Sequence, residues 1–141
     1  MLGFITALIS GALMSIQGVL NTEVTRQTGI WVSAGWVQLT AFLTCIVLYF
    51  WKDRSPVGAI LTVQPWYMLL GGIIGAFITA TVIKSMNSLG PAKATLLIVI
   101  TQIIIAYVIE LFGLFGVEHS SFEWKKLIGA ALAIAGILVF Q

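Results

Sequence analysis

Five long apolar runs, near 2–21, 30–51, 66–86, 91–115 and 126–140, alternate with short polar breaks along the chain. Each approaches the roughly 20 residues that an α-helix needs to cross the hydrocarbon of a bilayer, and the fifth is the shortest. The breaks read NTEVTRQTG, KDRSPVGAILTVQP, KSMNSLGPAK and GVEHSSFEWKK, rich in the polar, Gly and Pro residues that end helices. Pro91 suits the first turn of the fourth helix, where its missing N–H costs nothing. Trp31, Trp51, Trp66 and Trp124 fall at run ends, where an amphipathic ring belongs at headgroup level. Trp36 lies more than a turn inside the second run, which suits either a helix contact or a cavity wall. The first run lacks a positive leading segment and an A-x-A site, so a retained helix is expected rather than a cleaved signal.

Composition agrees with this pattern: 60% hydrophobic residues, 9% charged residues and a mean hydropathy of +1.08 leave too little polar surface for a water-soluble domain. The expected fold is an all-α integral membrane protein, with residues 1–141 forming a single five-helix membrane domain. A net charge of +2 gives no reason to expect nucleic acid as a partner. The single cysteine, Cys45, sits in the apolar stretch FLTCIVLYF, so neither an intrachain disulfide nor a Cys/His metal site is expected. No nucleophile paired with a base and no phosphate loop is recognisable, so neither an enzyme nor a cofactor is expected.

The distribution of Lys and Arg sets orientation in a membrane. With five spans, one face carries Lys52, Arg54, Lys125 and Lys126, and the other Arg26, Lys84 and Lys93. So slight a bias permits insertion both ways. Two oppositely inserted copies can pair about a two-fold axis in the membrane plane, giving the ten helices that many transporters obtain by fusing inverted repeats. The chain carries no convincing internal repeat, as expected of the unit of such a pair.

Small residues mark two seams. In the third run Gly71 and Gly75 stand four apart, and in the fifth Gly129, Ala133 and Gly136 line one face. Such spacing lets helix backbones approach closely, within one subunit or across a dimer.

Polar residues inside apolar runs are the candidate site. Gln102 sits near the centre of the fourth run, where an uncovered amide is costly, so it must face protein or water. Glu110 lies eight residues on, about 12 Å along the helix and about 80° around it. An ionisable group there suits a bound cation, a carried proton, or a positive partner at the rim. Gln17 and Asn21 share a face of the first helix, and Asn21 also suits a helix end. Gln38 is a further cavity candidate in the second run. Each amide has an alternative role in helix packing. His119 falls in the last polar break and reads as solvated.

The stretches GALMSIQGVLNTEV, WYMLLGGIIGAFI, LGPAKATLLIVITQIIIAYVIELFGLFG and LIGAALAIAGILVF occur in an order and spacing that resembles the small YdcZ-type inner-membrane proteins, five-span members of the drug/metabolite transporter superfamily. The resemblance covers nearly the whole chain, and residues 89–116 carry its most specific part. It implies a small-molecule transporter of the bacterial inner membrane, without implying a substrate. The fifth helix is also similar to the terminal dimerisation helix of small multidrug resistance exporters. Those exporters carry an essential glutamate in their first helix, whereas this one offers only Thr6, Ser10, Ser15 and Gln17 as polar groups, so their proton-coupled mechanism is not implied. GGIIGA is similar to the small fluoride channels as well, but Phe77 and Ile78 stand where those channels have Arg-Tyr.

The resulting expectation is an antiparallel homodimer in the lipid bilayer that transports an unidentified small molecule by alternating access. Gln17, Asn21, Trp36, Gln38, Gln102 and Glu110 are its candidate substrate-binding residues. The alternatives are a non-transporting interaction subunit, whose polar residues only fix packing, and a protein that binds a lipid or another amphiphile between its helices.

Overall fold

The computed structural model describes residues 1–140, with side chains at all of them except Asp53, Ile137, Leu138 and Phe140. The described residues form helices and connecting turns. Helix α1 spans Leu2–Thr28, α2 Ile30–Leu48, α3 Gly71–Leu89, α4 Pro91–Phe112 and α5 Trp124–Phe140. A π-turn over Tyr49–Asp53 prolongs α2, and a 3₁₀ turn over Trp66–Leu70 leads into α3. Four helical stretches are long and apolar enough to cross a membrane: Leu2–Thr28, Ile30–Lys52, Trp66–Leu89 and Pro91–Phe112. The fifth apolar run forms a helix of only 17 residues.

Helix ends follow local chemistry. α1 and α2 are joined by Gly29 alone, whose φ of 97° a side chain would disfavour; its N–H donates to the Thr25 carbonyl and its carbonyl accepts the Ser33 N–H. The NTEVTRQ stretch is therefore helix, because this cap needs only the glycine. Pro91 occupies the first turn of α4, and Gly113 ends that helix at φ 61°, ψ 34°, donating its N–H to the Glu110 and Ile109 carbonyls.

The contacts cluster into two compact units, residues 1–88 and 89–141. In the first, the buried residues of α1 and α2 are small: Gly18, Thr22, Ser33 and Ala34. Those of α3 are Ala80, Ile83 and Met86. Gly18 meets the Met86 side chain so closely that a Cβ there would lie 2.6 Å from its Sδ and Cε. Ser33 Oγ donates to the Asn21 carbonyl at 3.1 Å, tying α2 to α1. Arg26 is paired with Glu23 at 2.7 Å and donates to Asn87 Oδ1 at 3.5 Å, tying the ends of α1 and α3. Outside this interior the surface is apolar, with Phe4, Leu8, Phe42, Val47, Ile73 and Phe77 all exposed, as suits contact with lipid.

The second unit is α4, the connection after it, and α5. The connection folds back on the last turn of α4, where the Ser120 N–H donates to the Glu110 carbonyl at 3.0 Å. At the start of α5, the Glu123 N–H donates to the Tyr107 hydroxyl at 2.9 Å.

Candidate functional site

Glu110 stands in the last turn of α4 because Gly113 ends the helix three residues later. Its carboxylate accepts from the Lys126 ammonium at 3.2 Å, across the connection to the first turn of α5. Lys126 also lies 3.6 Å from Glu123 Oε1 and 5.4 Å from the centroid of the Tyr107 ring. One ammonium thus has two carboxylates and an aromatic face around it. Glu110, Lys126 and Tyr107 line a cleft of about 630 Å³ between α4 and α5, whose other walls include Ile103, Ile104, Leu111, Phe122 and Leu127, while Glu123 stands beside it through its contact with Lys126. Gly129 and Ala130 also line it, and a Cβ at Gly129 would meet nothing within 4 Å. The side chains of Glu110 and Lys126 remain 45% and 37% exposed, so water or a ligand can reach the pair.

The other candidate residues stand elsewhere. Gln17 and Asn21 line one shallow groove on α1, together with Leu13, Met14, Ile16 and Leu20. Asn21 lies inside α1, which runs on to Thr28, so it is not a helix end. Trp36 is 61% exposed on α2. Gln38 is half-buried and approaches α3 at Gly75, where an added Cβ would lie 3.3 Å from its Nε2. Gln102 is exposed on α4 and does not line the cleft. Gly71 and Gly136 have open space where a side chain would be; Ala133 is half-buried on α5. Gln17 and Asn21 are thus brought together, and Glu110 is brought to Lys126.

Lys126, Tyr107 and Glu123 are the members that sequence reasoning missed. The available signal was a basic residue opening an apolar run just after one carrying a carboxylate. Its pairing with a residue sixteen positions earlier depends on how the connection folds. Among the described residues no group of three or more His, Cys, Asp or Glu side chains could hold a metal ion. Cys45 is exposed on α2.

Comparison with known families gives a match to a family model described as "Putative inner membrane exporter, YdcZ", over residues 2–139. No curated protein and no solved structure matches the chain.

Proposed function

The chain belongs to the YdcZ family of the inner membrane, whose exporter description is that of a transporter rather than an enzyme, and from that premise we propose that it moves a small molecule by alternating access as an antiparallel homodimer. The observation that carries this reading is Gln102. It is exposed near the middle of α4, the most apolar of the four helical stretches long enough to span. An amide left uncovered in hydrocarbon costs several kcal/mol, so the membrane-embedded chain needs something polar against it. A second, inverted copy supplies this, because a two-fold axis in the membrane plane places both copies of Gln102 at one depth.

In this reading α5 crosses as the fifth span, its 17 residues lying at the short end of the spanning range. The small-residue face at Ala133 and Gly136, which continues from Gly129 in the α4–α5 cleft, forms the seam between copies, and the open space at Gly71, four residues before Gly75, leaves α3 room to pack against a further helix. Gln17, Asn21, Trp36, Gln38, Gln102 and Glu110 line the substrate path. The packing-subunit reading also has a supporting observation, the Gln38 amide resting against Gly75 within one chain.

Orientation tests the proposal. A cysteine appended after Gln141, with Cys45 replaced by Ser, is labelled in intact cells with a membrane-impermeant thiol reagent. Comparable fractions of carboxyl termini on the two sides are expected. A single orientation would overturn the inverted homodimer.

A further inference from the structure

The cleft of the second unit holds a cation already, and that cation is the chain's own. Lys126 Nζ lies 3.2 Å from Glu110 Oε2, 3.6 Å from Glu123 Oε1 and 5.4 Å from the Tyr107 centroid. Two carboxylates and a π face are more than one ammonium needs. With Lys126 in place the group still carries one negative charge more than positive, and without it two. The ammonium is tethered by a flexible four-carbon stem that can swing out towards water, since the pair is not sealed.

Beneath the charges the walls are apolar and the floor is small. The cleft's volume of about 630 Å³ lies within the roughly 300–1,000 Å³ of small-molecule sites. Ile103, Ile104, Leu111, Phe122 and Leu127 offer dispersion contacts to a bulky apolar body, while Glu110 fixes the charged end. We propose that the α4–α5 cleft binds a lipophilic organic cation, whose positive centre takes the place of the Lys126 ammonium between Glu110, Glu123 and the Tyr107 ring.

The occupant's sign follows from the net charge at the cleft, and its bulk from the apolar walls. An anion would have to approach two carboxylates while its one attractive partner is already paired. A phospholipid amine brings its phosphate to the same carboxylates and meets the same objection. Lys126 thereby acts as an internal competitor: it keeps the carboxylates paired when the cleft is empty and lowers apparent affinity, because an incoming cation must displace it. Binding at this cleft does not require the inverted homodimer or transport.

Tetraphenylphosphonium and tetraphenylborate have nearly the same shape and opposite charge, so together they separate recognition of charge from partition into apolar space. Equilibrium binding of each is measured on the full chain in phosphatidylcholine nanodiscs. The phosphonium should bind saturably, about tenfold tighter to Lys126→Met and about tenfold weaker to Glu110→Gln. Ala130→Leu, which fills the cleft and leaves every charge in place, should weaken the phosphonium as well. The borate should show no saturable binding to the wild-type chain. Equal binding of the two ions, or a Lys126→Met variant that binds the phosphonium no tighter, overturns the proposal. The orientation experiment is read separately, so a failed cleft leaves the homodimer standing, and a single orientation leaves the cleft standing.

Discussion

Gly18 and Lys126 show two ways in which one residue sets its surroundings. At Gly18 the missing side chain is filled by Met86, whose Sδ and Cε occupy the space of a Cβ. Because those atoms end a flexible chain, Gly18→Ala should cost no more than about 1 kcal/mol, whereas Gly18→Leu should cost about 1–3 kcal/mol by overpacking. Unfolding in mild detergent would show the difference, and Met86→Ala should recover part of the loss in the Leu variant. Lys126 is a contrasting case. Its ion pairs join groups that are 37–50% exposed, and pairs of that kind contribute little to stability. Lys126→Met should therefore leave the unfolding midpoint nearly unchanged while altering ligand binding, a combination that a purely structural pair would not give.

At the scale of elements, the end of α4 organises the cleft. Gly113 takes φ 61°, and a Cβ there would lie 3.4 Å from the Val117 carbonyl oxygen and 3.5 Å from the His119 Cβ. Forcing an L side chain into this left-handed conformation costs about 1–2 kcal/mol, offset in part by the reduced freedom of the unfolded chain. Gly113→Val should destabilise the fold-back of the connection, releasing the Ser120 N–H from the Glu110 carbonyl. Faster amide exchange over residues 114–123, with α1 to α3 unaffected, is the expected observation. Unchanged exchange there would mean that the glycine does not hold the connection. α5 begins where this connection ends, so the approach of Lys126 to Glu110 inherits its geometry from a backbone turn.

In both units most large apolar side chains are exposed, Ile83, Met86 and Ile100 being among the few buried ones, as suits a protein solvated by lipid rather than water. On the proposed dual orientation, three Lys residues added to the connection between α2 and α3 should fix a single topology by the positive-inside rule. Such a locked variant should lose the homodimer, as read by cross-linking in native membranes. Co-expression with a copy locked the other way should restore it. A locked variant that cross-links as well as the wild type would contradict an antiparallel pair.

Much of this protein is written in its hydropathy. Each apolar run reappears as a helix, with Pro91 in the first turn of α4 and Trp124 opening α5, because in lipid a backbone must satisfy its own hydrogen bonds and an apolar run has little choice but helix. Family membership was legible in the same stretches, notably residues 89–116, and the match over residues 2–139 establishes it. The sequence also singled out Glu110 and named a positive partner as one of its possible roles, but spacing along the chain could not choose Lys126. That choice belongs to tertiary structure. It depends on Gly113 turning the chain and on the connection returning to the Glu110 carbonyl. The same holds for Gln38, whose amide reaches across from α2 to Gly75 of α3. Helix formation is decided by local hydrogen bonding and burial in lipid, both of which a one-dimensional pattern records. A side-chain partnership is decided by the rotation and offset of one helix against another, which depend on the turns and on the small residues where the helices meet.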